Sequence, residues 1–186
     1  MPCIDFVNTL DWRGRAAPVE YLRTFDDVLE WSVAAGVIAG QQAAQLRHVT
    51  KSAAERARLR AISFREAAYR LLKAAVHGAK PEPSDVQRTS AVIAQARAHL
   101  ALRYERGSFG WAFVEAEGDT RLPLWAISLS MDELITSEKL RHVRECGGPE
   151  CGWLFLDTTK NRQRRWCSMD GCGNRAKARR HYARVH

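Results

Sequence analysis

The sequence predicts a mainly α-helical protein: a helical N-terminal domain with one β-hairpin over residues 1–138, then a small treble-clef-like unit over residues 139–186. Three observations carry this reading. Helix-start signals and apolar residues at helical spacing recur through the first 138 residues. One stretch, 103–115, instead alternates around glycines. Past about residue 140 the chain becomes charged and is punctuated by Cys and Gly, with four of its five cysteines in two close pairs.

The elements follow in order. Residues 4–12, read as a helix, put Asp5, Asn8 and Thr9 at i, i+3 and i+4 on one face, with Phe6, Val7 and Leu10 towards the core. Thr24-Phe25-Asp26-Asp27 is a helix start with acids in the first turn, and Gly36 is its C-cap. Ser52-Ala53-Ala54-Glu55 is a capping box, followed by Leu59, Ile62, Tyr69, Leu72 and Val76 at helical spacing until Pro81 and Pro83. Ser84-Asp85-Val86-Gln87 opens a helix running to about Leu102. Arg103–Arg106 and Trp111–Glu115 flank a turn at Gly107-Ser108-Phe109-Gly110, which makes the hairpin. Leu122 to about Ser137 is a last apolar-rich helix.

Charge is distributed unevenly. Of 29 Lys+Arg and 21 Asp+Glu, residues 1–138 hold 17 of each, whereas 139–186 hold 12 bases against four acids. All of the excess of +8 therefore lies in the last 48 residues, which points to a polyanionic partner, nucleic acid before an anionic membrane surface. No apolar run approaches the length of a membrane span, and Met-Pro-Cys-Ile-Asp-Phe has no signal-peptide pattern. The expected compartment is the reducing cytoplasm, where cysteines bind metal rather than form stable disulfides.

A piece of 48 residues cannot hold itself together by apolar burial alone. Cys146-x4-Cys151, fifteen residues, then Cys167-x4-Cys172 supplies what a tetrahedral thiolate site needs. One structural Zn²⁺ with four thiolates leaves no open coordination position, so the site is not catalytic. His181 and His186 follow the last cysteine, but four cysteines already complete the set; Cys3 reads as a small packing residue. Trp153–Asp157 reads as a strand with Arg164–Cys167 as its hairpin partner, and Thr158–Arg162 as the exposed tip. The run from Gly173 to Arg184 reads as a helix, with Ala178, Tyr182 and Val185 as an apolar stripe and Lys177, Arg180 and Arg184 opposite.

Cys172-Gly173-Asn174-Arg175, in the setting C-G-G-P-E-C-G-W-L-F-L-D … R-R-W-C-S-M-D-G-C-G-N-R, resembles the CGNR zinc finger. Ile4–Arg13 followed by Leu29-Glu30-Trp31 resembles the ABATE domain that precedes it. The resemblance covers nearly the whole chain and implies a stress-responsive bacterial transcription regulator. It also implies zinc at Cys146, Cys151, Cys167 and Cys172, and a finger that binds DNA. The candidate nucleic-acid residues are Arg162, Arg164, Arg165, Asn174, Arg175, Lys177, Arg180 and Arg184. DNA is favoured over RNA because Trp153, Phe155 and Trp166 alternate like core residues rather than forming a base-stacking platform. A protein-interaction or RNA-binding module with a structural finger is the alternative. No His-Glu-x-x-His, Gly-x-Ser-x-Gly or phosphate loop is present, so no enzyme is expected. Asp5, Asn8 and Thr9 have two readings: the lining of a small-ligand site in a sensing domain, or groups that satisfy buried backbone.

Overall fold

The computed structural model describes residues 1–114 and 118–185; Glu115 and His186 lie outside the described residues. The chain is mainly helical, with small antiparallel hairpins and a C-terminal cysteine cluster. In order come α1 (Pro2–Val7), β1 (Leu10–Asp11), β2 (Val19–Glu20), α2 (Phe25–Ala34), α3 (Gly40–Leu46), α4 (Lys51–Val76), α5 (Pro83–Ala98), β3 (Leu100–Glu105), β4 (Ser108–Phe113) and α6 (Leu122–Ile135). A 3₁₀ turn (Glu138–His142) leads into β5 (Val143–Glu145), and β6 (Leu154–Leu156), a π turn (Met169–Gly173) and α7 (Asn174–Val185) complete the chain. None of the described helices is long and apolar enough to cross a membrane.

Several sequence expectations shift. The first helix ends at Val7 with Asn8 as its C-cap, because residues 10–11 pair with 19–20 instead of continuing the helix. Thr24 caps α2 through a reciprocal capping box with Asp27, as its sequence requires. The cap of α4 is Thr50, whose hydroxyl accepts from the Ala53 amide, rather than Ser52. Pro83 takes the first turn of α5, where its missing N–H costs nothing, so Glu82 rather than Ser84 is the N-cap and the expected Ser84 capping box does not form. That helix stops at Ala98, and Leu100–Leu102 belong to β3. Helix α3 and the β1–β2 pair were not legible, being too short for a periodic signal.

The hairpin turn is Arg106-Gly107, both residues in the left-handed region (φ 51° and 83°). A two-residue turn of that kind matches the twist of its flanking strands, so Ser108–Gly110 join β4 instead of forming the turn.

The main core forms where α1, α2, α4 and α6 converge, around Phe6, Leu29, Phe64, Leu72, Trp125, Ile127 and Met131. Helix α4 contributes Ala57, Ala61, Phe64, Ala68 and Leu72, a stripe with one large ring and several small residues. Leu59, which shares the helical periodicity, is exposed. Val143 and Leu154 also enter this core, so apolar packing continues past residue 138 into the basic segment.

Candidate metal centre and nucleic-acid interface

Cys146 follows β5 directly, and Cys151 lies two residues before Trp153, so the first cysteine pair forms the tip of the β5–β6 hairpin. Glu145 pairs with Leu154, and the Cys146 amide donates to the Trp153 carbonyl at 2.8 Å. β6 therefore pairs with β5, not with Arg164–Cys167 as its sequence suggested. The second segment is held by other bonds: the Gly147 amide donates to the Arg165 carbonyl at 2.9 Å, and the Arg164 amide to the Asp157 carboxylate at 3.0 Å. Cys167 precedes the π turn that enters α7, and Cys172 lies within it.

The four sulfurs all lie within 4.8 Å of one another. Cys151–Cys167 and Cys167–Cys172 are each 3.8 Å apart. Zinc–sulfur bonds of about 2.3 Å in a tetrahedron put sulfurs about 3.8 Å apart, so the spacing fits zinc. The Cys167 amide approaches the Cys146 sulfur at 3.3 Å, and an Arg175 guanidinium nitrogen the Cys172 sulfur at 3.0 Å. Such donors stabilise negative charge on a four-thiolate site. Hydrogen bonds from Cys151 and Cys167 push the Cys146 thiol far below its ordinary value. A Cβ on Gly148 would lie 2.9 Å from the Cys172 sulfur, so this position admits only glycine without displacing a ligand. Cys3 stands apart, buried in the main core, where desolvation raises its thiol to about 11. His181 does not join the cluster.

A second set of contacts joins the cysteine unit to the N-terminal helices. Asn8 is buried, donating to the Leu154 carbonyl at 2.8 Å and accepting from the Leu154 amide at 3.0 Å. The amides of Arg13 and Gly14 donate to the Cys151 and Glu150 carbonyls at 3.3 and 3.0 Å. The Tyr69 hydroxyl donates to the Gly152 carbonyl at 2.9 Å. A Cβ on Gly14 would lie 2.6 Å from the Glu150 Cα, so the two backbones touch there. Arg175 lies over the Trp12 ring at 4.7 Å, and Lys73 and His77 both reach Glu145. None of these pairings follows from local sequence pattern.

The predicted nucleic-acid residues divide into two groups. Arg162 donates to the Asp157 carbonyl; Arg164 donates to the carbonyls of Trp166 and Cys167 and covers the Phe155 ring; Arg175 is held by Cys172 and Trp12. These three brace the finger. Lys177, Arg180 and Arg184 are exposed on α7, joined by Arg179; Asn174 begins the helix, and Arg165 lies over Trp166. Among the described residues, no basic side chain from Lys160 onward makes an ion pair with an acid, whereas Arg13, Arg65, Arg70, Arg97 and Arg121 all do. Around His142, burial together with the positive field of Arg162, Arg141 and Arg144 lowers the imidazole pKa. On α7 the buried residue is Ala176; Ala178, Tyr182 and Val185, read as an apolar stripe, are all exposed. Asp157, which the sequence reading passed over, is fully buried and accepts from the Thr159 amide and hydroxyl and the Arg164 amide. Asp-Thr-Thr is the sequence of such a side-chain-bonded turn, and could have revealed it.

Asp5, Asn8 and Thr9 border one cavity of about 250 Å³ with Tyr21, Trp31 and Trp153. The polar atoms of Asn8 bind Leu154; the Thr9 hydroxyl donates to the Phe6 carbonyl and accepts from Arg65. The Asp5 carboxylate lies 3.0 Å from the Met1 amine.

A helical unit carrying a four-thiolate centre on a short hairpin, with a basic helix leaving that centre, defines a small zinc-finger protein. The CGNR zinc finger model matches residues 142–185, and the ABATE model, described as a putative stress-induced transcription regulator, matches residues 1–138. The chain belongs to the ABATE family, with a CGNR finger at its C-terminal end. Among curated proteins, the comparison finds no match.

Proposed function

We propose that this protein is a cytoplasmic DNA-binding transcription regulator. The finger grips the phosphate backbone, and residues 1–138 form a regulatory domain. The carrying observation is the contrast in charge pairing: the N-terminal bases named above have carboxylate partners, while those from Lys160 onward have none among the described residues. A zinc-pinned helix with Lys177, Arg179, Arg180 and Arg184 exposed can lie along a duplex. A closed four-thiolate site has no open metal position, which favours a regulatory reading over a catalytic one.

A salt titration with duplex DNA tests this. Neutralising about four to six phosphates gives a slope of log K against log salt of about −4 to −5, and Lys177→Ala or Arg180→Ala each reduce it by about one. Salt-independent binding, or a clear preference for single-stranded RNA, overturns the proposal.

The cavity beside Asp5, Asn8 and Thr9 supports a sensing role. Its walls are largely aromatic, and one of them, Trp153, comes from the finger, so an occupant would bear on both units. With the polar atoms of Asn8 and Thr9 engaged, the fitting occupant is small, flat and mainly apolar. Thermal-shift measurements with small aromatic compounds test this reading. A shift that Trp31→Ala abolishes, at unchanged zinc content, supports it; the absence of any shift removes it.

A further inference from the structure

The β3–β4 hairpin is strongly two-faced. Its register pairs Leu100 with Phe113, Leu102 with Trp111 and Tyr104 with Phe109, so these six side chains share one face. The other face carries Ala101, Ala112, Arg103, Gly110, Glu105 and Ser108, which are small or polar. At the hairpin base the apolar face is used inside the molecule: Phe113 packs against the core and stacks on Trp125, with ring centroids 6.0 Å apart. Beyond the base, the same face continues outward uncovered. Leu102, Tyr104, Phe109 and Trp111 are 55%, 64%, 73% and 68% exposed. Tyr104 and Phe109 touch each other, with centroids 4.8 Å apart.

We propose that this face is the dimer interface, packed against the same face of a second copy around a two-fold axis. At 150–250 Å² per aromatic side chain, the exposed parts of these four residues amount to about 500 Å². Two copies thus bury about 1,000 Å² from the hairpins alone, the area at which specific interfaces begin. The face carries no charged side chain that would select a partner of opposite sign. An apolar ladder of the same width is its complement, and two-fold symmetry supplies one. Arg103 and Glu105 remain on the outer, solvated face, as in two sheets packed face to face.

Sedimentation of the zinc-loaded full chain tests the proposal. The expected result is a species of about twice 21.0 kDa at micromolar concentration. Trp111→Ser or Phe109→Ser should weaken association by about thirtyfold or more, with zinc content unchanged and, at dilutions where both proteins are monomeric, the same melting temperature. Arg103→Ala, on the opposite face, should leave association intact. Hydrogen exchange on the unaltered protein, above and below its dissociation midpoint, needs no variant and should show residues 100–113 protected only in the dimer. A monomer at 100 μM, a dimer that Trp111→Ser does not weaken, or protection confined to other segments overturns the proposal. So does a monomer that co-sediments with phosphatidylcholine vesicles through Trp111, since the face would then meet lipid.

Discussion

Asn8 links the two parts of the chain. Its amide group takes both the N–H and the C=O of Leu154, a buried residue of the finger's hairpin. Asn8→Ala leaves both backbone groups buried without partners, a loss of about 2–4 kcal/mol measurable by urea denaturation. A loss that large marks Asn8 as architecture; a near-neutral change with an altered response to small aromatics would favour the ligand reading. The buried Arg65 makes a different kind of contact. It forms a bidentate pair with Glu20 at 2.6 Å and also reaches Glu66, which Arg13 grips from the other side. Burial raises the pKa values of both glutamates, but their arginine partners outweigh it and hold both below the ordinary 4.5. In the window below 4.5 the unfolded chain therefore binds more protons than the folded one. The stabilisation is complete above 4.5 and is lost as the pH falls through the lowered values. Melting temperature followed from pH 6 to 3 should drop across that window, and Glu20→Gln should make the drop shallower. Zinc content is followed in parallel, because acid also protonates the thiolates.

At the scale of elements, zinc and the main core share the work of holding the finger. Zinc binding contributes about 10–16 kcal/mol of apparent free energy in structural zinc peptides. The β5–β6 hairpin has a second anchor, since Val143 and Leu154 sit in the main core. The loop from Asp157 and helix α7 have little besides the cysteine cluster, with Ala176 the buried residue of the helix. Cys172→Ser should therefore release zinc and expose residues after about Asp157 to trypsin, while residues 1–156 remain protected. Mass spectrometry of the fragments checks this: cleavage within β5 or β6 would mean that the core does not hold the hairpin without metal. The capped helices were legible because their signals are local. Thr24 with Asp27 acts within one turn of helix, whereas Pro83, read from the sequence as a stop, lies in the first turn of α5. The core face of α4 was harder to read because it is built from Ala57, Ala61 and Ala68, small residues that let helices approach closely but carry a weak hydrophobic signal.

At the scale of the whole molecule, opposite demands meet in one chain. In the N-terminal unit Arg13, Arg65, Arg70 and Arg97 are ion-paired within the unit, whereas from Lys160 onward no described basic side chain has an acid partner, which is why we propose the finger as the part that meets a polyanion. Arg164 and Arg175 contact finger carbonyls, a cysteine sulfur and rings, so they hold the finger's shape, and under the proposed function their effect on binding is indirect. Arg175→Ala should weaken DNA binding while lowering the temperature at which zinc is released. Arg180→Ala should weaken binding alone, and equilibrium zinc-chelator competition separates the two.

The sequence by itself determined the helical character of residues 1–138, the hairpin, the four metal ligands and the location of the net charge. Each of these is fixed by short-range chemistry: caps, alternation, paired thiols and a count of side chains. The tertiary structure alone decided that β6 pairs with β5, that Asn8 and Tyr69 bind the finger backbone, and that Arg175 is held between a sulfur and Trp12. It also decided which apolar faces are covered, closing over Phe64 and Trp125 and leaving Phe109 and Trp111 in solvent. The β5–β6 pairing and the Arg175–Cys172 contact are close in the chain, but Tyr69–Gly152, Asn8–Leu154 and Trp12–Arg175 join residues about eighty to a hundred and sixty positions apart. Whether they form depends on how whole elements pack, and no local pattern in the chain encodes that.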